Sequence, residues 1–393
     1  MTPSCRGAEF RSTDGEHVAG NDRWGAPPTQ SGAARGPVPG PGAEARTLTL
    51  EKPGTLEKPG TTRAGSDFAR LSRRISAAGL LDPAPGHYIG RALLLGTVAA
   101  ATGTAFVLLG SSWWQLLVAA VAAVVYGQVA LFAHDVAHRQ VFRTRRAAEV
   151  TGRLIGNLGI GMSYGWWMQK HTRHHADPNH VGRDPDVAPG TIVFTPEHAR
   201  ASRGVARFMV RHQEALFFPQ ITLAGLDLRR ASIHGLLAGR MPFRRTELAL
   251  IAIHIGGYLA ALFVLLPPGL AVAFFAVHQC LFGVYLGSIF APNHKGMLMP
   301  SERMDFLRKQ VLTSRNVRGG PLTDGLLHVA MGGLNHQIEH HLFPSMPTPR
   351  QRRARVVVRE FCAEVGVPYH ETTLIGSWSE MLAALRTAAA PLR

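Results

Sequence analysis

Four stretches of this chain contain no Asp, Glu, Lys or Arg: residues 92–110, 111–133, 248–266 and 269–291. Each is close to the roughly 20 apolar residues that an α-helix needs to cross a hydrocarbon core of about 30 Å. The first two meet at Gly110-Ser111-Ser112 and the last two at Pro267-Pro268-Gly269. Joints this short allow only tight turns at one membrane face, so the pattern predicts two helical hairpins. Before the first hairpin, Phe68, Leu71, Ile75 and Leu80 recur at helical spacing with arginines between them. That stripe predicts a short amphipathic helix over 66–81, lying on the membrane surface.

Residues 150–167 are apolar but broken by Gly152, Gly156, Gly159, Gly161 and Gly165. A fifth crossing there would invert everything that follows. The stretch is expected to form an interfacial or re-entrant helix, with Trp166 and Trp167 at headgroup level. Residues 1–65 are Gly/Pro-rich and poor in large apolar side chains, which predicts a disordered tail. The tail holds two copies of Leu-Glu-Lys-Pro-Gly-Thr, starting at Leu50 and Leu56, which read as a linker. It has no apolar run of the kind a cleavable secretory signal requires. The expected organisation is a tail over 1–65, a membrane domain over 66–368 and a cytoplasmic C-terminal tail over 369–393.

Charge orients the hairpins. Between them, residues 139–247 carry 17 Lys and Arg against 8 Asp and Glu. The hairpin tips carry none, so the positive-inside rule places the connecting segment and both termini in the cytoplasm. This accounts for much of the net charge of +16 and leaves no call for nucleic acid as a partner. The three cysteines, Cys5, Cys280 and Cys362, are far apart and suggest neither a disulfide framework nor a thiolate metal site.

The chemistry sits in the histidines. His134 and His138 stand at i, i+4 just after the second apolar stretch. His171, His174 and His175 stand at i, i+3, i+4, and Gln337, His340 and His341 repeat that register. Residues at these spacings are helix neighbours, roughly 5–6 Å apart at Cβ. His294 lies just past the fourth stretch, at the depth of His134. Single histidines elsewhere, such as His87 or His254, are expected to be structural; His278, inside a membrane stretch, is a functional candidate.

Imidazole suits zinc, copper, iron and nickel. Eight imidazoles exceed the four ligands of one zinc ion and suit two metal ions with open positions. Carboxylates are sparse at these spacings, which favours a histidine-rich di-iron site over a carboxylate one. His336-Gln-Ile-Glu339-His340 also matches the H-x-x-E-H pattern of inverted zinc peptidases, but that reading leaves the other clusters idle.

HxxxH, HxxHH and QxxHH, spread around two hairpins, resemble the integral-membrane fatty acid desaturases. Gly332-Gly-Leu-Asn-His-Gln-Ile-Glu-His-His-Leu-Phe-Pro344 is similar to that family's third histidine box, and His175-Ala-Asp-Pro-Asn179 with Asp184-Pro-Asp186 to the stretch after its second. The resemblance covers residues 66–368. It implies an all-α fold of four transmembrane helices in two hairpins, with a cytoplasmic helical cap holding a di-iron site. It also implies that His134, His138, His171, His174, His175, His294, His340 and His341 bind two iron ions, with no catalytic residues beyond the ligands. Gln337 takes the place where many members have histidine; it is counted with the ligands, and His336, one residue out of register, is an alternative. Asn335 is expected to orient a ligand.

The implied reaction uses O2 to remove two hydrogens from a fatty acyl chain, carried as acyl-CoA or acyl-lipid. Front-end members often contain a fused haem domain with a His-Pro-Gly-Gly run, which this sequence lacks. The resemblance therefore implies a separate donor, such as a ferredoxin or a flavin reductase, acting at the cytoplasmic face of a bacterial cell membrane. A lipid hydroxylase on the same scaffold is the alternative reaction. A histidine-rich metal transporter or membrane metallopeptidase is the alternative class.

Overall fold

The computed structural model describes residues 66–239 and 241–393. The expected tail over 1–65 and its repeat lie outside the described residues. Four helices are long and apolar enough to span a membrane: α2 (Pro85–Leu109), α3 (Gln115–Ala137), α10 (Arg244–Leu265) and α11 (Pro268–His294). They coincide with the four expected spans, lengthened mostly toward the charged side. Pro85 and Pro268 each sit at the first helical turn, where a missing N–H costs nothing. The first hairpin turn is closed by Gln115, whose side-chain amide donates to Phe106 O (2.6 Å) and Gly110 O (3.0 Å). Those carbonyls would otherwise end α2 unsatisfied in an apolar medium.

α3 and α11 form the centre of the molecule. Val118, Ala119, Leu270 and Phe274 pack at the turn end, Ala123 with Phe282 and Leu286 in the middle, and Leu131 with Ile289 near the histidines. Small residues set the approach: a Cβ on Gly127 would sit 1.9 Å from the Tyr285 ring. α2 contributes one buried residue, Tyr88, and exposes Leu93, Leu94 and Leu108. Such a surface is costly in water and neutral in lipid.

Over one end of the bundle lies a helical cap. α1 (Asp67–Ala77) begins at Ser66, whose hydroxyl accepts from Ala69 N. Its apolar stripe does not lie on a membrane surface as expected. Leu71 and Ile75 are fully buried against Leu307, Ile338, Val358 and Phe361. The periodicity was correct, but a stripe of this kind cannot tell lipid from protein as its apolar partner.

The glycine-broken stretch splits into α4 (Arg145–Arg153), a π-helical turn (Leu154–Gly159) and, after a break, α5 (Tyr164–Ala176). None of these is a spanning helix. The connection to the second hairpin runs through α6 (Pro196–Ala201), α7 (Gly204–Arg211), α8 (Gln213–Ile221) and α9 (Ala224–Ala238). After α11 come α12 (Phe306–Leu312), strand β1 (Asn316–Arg318), α13 (Asp324–Ala330), α14 (Gln337–Leu342), α15 (Thr348–Glu364), β2 (Glu371–Thr373) and α16 (Leu374–Ala388). The strands pair in parallel, Val317 opposite Thr372, and form the only sheet among the described residues. Residues 369–393, expected as a tail, instead complete the cap: Met381 and Leu385 of α16 are buried with Phe217 and Ile221. The fully buried Arg315 pairs with Glu380 of α16 and donates to Lys295 O at the end of α11.

The burial of α1 makes a prediction. Leu71→Ala should cost about 2–5 kcal/mol, the range for a fully buried leucine. In detergent-solubilised protein this reads as a lowered Tm; an unchanged Tm would return α1 to the membrane surface.

Candidate metal centre

The histidines come from four elements that end at one depth. α3 runs unbroken to Ala137, so its last turn presents His134, and His138 is its C-cap. α11 ends at His294. α14 is a six-residue helix carrying Gln337, His340 and His341, all buried. α5 carries His171, His174 and His175 and is positioned by a buried carboxylate. Glu247 of α10 accepts from Ser163 Oγ (2.6 Å), Asn157 Nδ2 (3.1 Å) and Gly165 N (3.2 Å) at the start of α5. A negative group is favoured there by the helix dipole and the free N–H groups.

Two groups of imidazoles result, each with candidate ligand atoms within 4.8 Å of one another. His134, His138, His171 and His340 form one, and His174, His294 and His341 the other. His175 lies between them: its Nε2 is 3.0 Å from His171 Nε2 and 3.2 Å from His340 Nε2, and its ring stacks on His341 at 4.2 Å. His138 and His171 approach to 2.8 Å at Nε2, and His174 and His294 to 3.3 Å. Nitrogens bound at about 2.1 Å to one ion at right angles lie about 3 Å apart, so these spacings suit a shared cation.

The outer nitrogens are fixed by oxygens. His174 Nδ1 donates to Asp184 Oδ2 (3.0 Å), His294 Nδ1 to Thr313 O (3.0 Å) and His341 Nδ1 to Gln310 Oε1 (2.9 Å). An acceptor on Nδ1 fixes the tautomer and leaves the Nε2 lone pair facing inward, as metal-binding imidazoles require. His341 Nε2 and both ring nitrogens of His134 are buried without a hydrogen-bond partner. Buried polar atoms are normally satisfied, and a metal ion would supply a partner for one nitrogen of each ring. The donor set therefore fits a pair of metal ions.

Protonation is suppressed on α5 and α14. Burial, and then repulsion among neighbouring rings, holds His171, His175, His340 and His341 well below the ordinary imidazole range. Burial also lowers His174, against the pull of Asp184. Asp184 itself is buried, which disfavours its charge, yet its bonds to His174 and the nearby Lys295 hold its carboxyl below the usual range. The pair thus rests as neutral imidazole and carboxylate. Burial brings Lys170 and Lys295, both close to Asp184 and Asp186, down to about 8.

The third histidine box resolves residue by residue. Gln337 reaches the cluster, its side-chain nitrogen 2.9 Å from His294 Nε2. Its oxygen accepts from Asn293 Nδ2 (3.1 Å), an amide already committed to Leu334 O (3.0 Å). The Gln337 amide thus stands at the His294 lone pair, and a metal ion bound to His294 would displace that hydrogen. His336 does not enter either group; it packs beside His328, their ring centroids 5.3 Å apart. Asn335 bonds His328 and His336, and so orients no cluster histidine, contrary to expectation. Glu339 turns away to Asn316 (2.7 Å) and Tyr369 (2.8 Å). With His336 and Glu339 outside the cluster, the H-x-x-E-H reading has no geometry here.

Several partners carried no assigned role at the level of sequence. Asp184 and Asn179 lie in the matching stretch after the second box, which was their only signal. Asn179 adopts φ +57, a left-handed conformation that asparagine tolerates. That turn lets its backbone N–H reach Asp184 (2.7 Å) while its side chain donates to His294 O (2.9 Å). Gln310 and Thr313 come from α12 and its C-cap, and no motif marks them. Trp167 stacks on His171 at 4.3 Å, a contact that its sequence position did not reveal. Together with Ala130, Ala133, Met162, Leu286 and Phe290, Trp167 lines an apolar cavity that reaches His134.

Comparison with known proteins agrees with this geometry. The fatty acid desaturase family model matches residues 111–373. The chain is 30% identical over 280 residues to the acyl-lipid (9-3)-desaturase of Physcomitrium patens, covering 68% of this chain and 52% of that protein. It is 28% identical over 348 residues to a Delta(5) fatty acid desaturase of Caenorhabditis elegans, covering 82% of this chain and 73% of the relative. A Delta(8)-fatty-acid desaturase of Helianthus annuus is 26% identical over 343 residues, covering 83% and 74%. The match thus spans about half the length of the first relative and about three quarters of the other two. Two hairpins, four converging histidine elements and this match place the chain in the fatty acid desaturase family.

Proposed function

We propose that the protein is an O2-dependent fatty acyl desaturase that uses a histidine-bound pair of iron ions. One observation carries this reading: two groups of closely packed, largely buried imidazoles lie side by side, and an apolar cavity reaches them at His134. His134, His138, His171, His174, His175, His294, His340 and His341 are the proposed ligands. Gln337 stands beside them and meets the centre through its amide. When bound, the iron pair supplies the activation of O2 and the removal of hydrogen from an unactivated methylene pair. The overall balance is one acyl –CH2–CH2– unit, O2, two electrons and two protons, giving –CH=CH– and two waters.

The chain's own residues do the rest. Asp184, Thr313 O and Gln310 keep three imidazoles in the ligand tautomer. Trp167 lies between His171 and the cavity and keeps water from the reacting carbons. The small side chains of Ala130 and Ala133 border the place beside His134 where an acyl chain would lie. The relatives' own names describe them as acting on fatty acyl chains or acyl-lipids, which supports an acyl substrate here, as coenzyme A ester or lipid. The charge pattern supports a cytoplasmic face for the histidines, the cap and both termini; a bacterial cell membrane is the proposed location. Electrons are proposed to come from a separate carrier such as a ferredoxin or a flavin reductase.

Expression in a host lacking the product double bond tests the reaction. Mass spectrometry of the lipids should show acyl chains lighter by two hydrogens, and growth under 18-oxygen gas should leave no label in them. Labelled hydroxyl groups in the product would replace desaturation with hydroxylation.

Substitutions test the site. His174→Ala and His340→Ala should reduce product to background while the protein still inserts in membranes; product at the normal level would remove that residue from the ligand set. Asp184→Asn keeps the shape but weakens the hold on His174. It should lower activity or iron retention by about 10–100-fold, the usual cost of losing an outer partner of a metal ligand. Full activity with full iron content would show that Asp184 is only a packing residue.

A further inference from the structure

The apolar cavity beside His134 has a definite lower end. Its wall descends by successive turns, from Ala133 to Ala130 on α3 and from Phe290 to Leu286 on α11, with Leu228 of α9 alongside. One turn further, α3 and α11 present Tyr126 and Phe282, and on α9 Arg229 follows Leu228. Phe282 is fully buried and packs against Ala123 and Leu286. The Tyr126 ring meets it edge-on at 5.9 Å.

Phe282 is held from behind by a cation. The Arg229 guanidinium lies 5.1 Å from the ring centroid. Arg229 is itself buried, and among the described residues it pairs with no carboxylate. It donates instead to Ile160 O (3.0 Å) and to the side chain of Gln279. Two bonds to different elements leave the guanidinium little freedom to swing aside. α9 also approaches closely: a Cβ on Gly225 would lie 2.7 Å from the Phe282 ring. Beyond the ring the surroundings turn polar, with Gln279, His278 and Tyr258 hydrogen-bonded in series.

We propose that Phe282, pinned by Arg229, is the floor of the acyl cavity and sets the acyl chain length that the protein accepts. This rests on the desaturase reading of the site. The floor is steric, because the ring fills the space between α3, α9 and α11. It is also electrostatic, because a methyl end pushed past the ring would have to disrupt the hydrogen bonds of a buried guanidinium and a polar network. From His134 to Tyr126 is eight residues of α3, about 12 Å of helix rise; from His294 to Phe282 is twelve residues of α11, about 18 Å. That interval bounds the acyl segment lying beyond the reacting carbons.

The experiment feeds host membranes a mixture of saturated acyl chains differing by two carbons and measures the ratio of long to short desaturated products. Both products form in the same cells, so the ratio is independent of how much protein folds. Phe282→Ala should raise the ratio at least about tenfold, since one methylene in an apolar pocket is worth about 10–200-fold in selectivity. Ala130→Leu, which raises the floor, should lower it by a similar factor. The milder Phe282→Leu should shift it in the same direction as Phe282→Ala, by less. Ratios within twofold of wild type in the variants that make product would overturn the floor while leaving the desaturase reading intact. A wild-type protein that desaturates no chain would overturn the desaturase reading instead.

Discussion

The structure depends on keeping a crowd of imidazole rings uncharged in one buried place. His138, His171, His175 and His340 meet ring to ring at centroid separations below 5 Å. Any proton added there would be desolvated and would face its neighbours' repulsion. Nothing in ordinary packing rewards such an arrangement. Orphaned ring nitrogens and unrelieved polarity would cost stability unless cations took up the lone pairs. The cluster is thus best understood as the interior of a metal site, and the surrounding protein as the frame that holds it.

Each part of the frame answers a geometric demand. α3 and α11 extend unbroken from the membrane so that His134 and His294 arrive at one level. α5 must enter at that level without spanning, and the break at residues 160–163, clamped by Glu247, turns the chain there. α14 is short because only one turn is needed to present His340 and His341. The cap then closes over the site: α1, α12 and α15 bury its outer face, and α16 is locked to the end of α11 through Arg315 and Glu380. Oxygen partners from α12 and the loop after α5 set the tautomers. Precision at the centre comes from elements distant in sequence, as a buried constellation requires.

Much of this was legible in the sequence, and the limits have physical causes. The spans were clear because a membrane imposes a length and excludes charge, so α2, α3, α10 and α11 appeared with errors of a few residues. The histidine registers were clear because i, i+3 and i, i+4 have one meaning in a helix. α1 was recognised as a helix but given the wrong partner, because Leu71 and Ile75 would bury equally well in lipid or in protein. Residues 369–393 carried no motif, and the docking of α16 depends on a β1–β2 pairing between distant segments. Gln310, Thr313 and Glu247 were invisible for the same reason: each acts through a contact that only the tertiary fold creates. Gln337 was in register and His336 one residue out, but spacing alone did not say which of them meets the cluster. The fold separated them by turning one toward His328 and the other toward His294.

The central claim is that the imidazoles form one site for two iron ions. Its most direct test is the metal content and X-ray absorption of full-length protein purified from membranes without exposure to air. About two irons per chain are expected, coordinated by nitrogen at about 2.1 Å, with the imidazole scattering of several histidines. Protein that makes desaturated product while holding one metal ion per chain, or holding none, would contradict it.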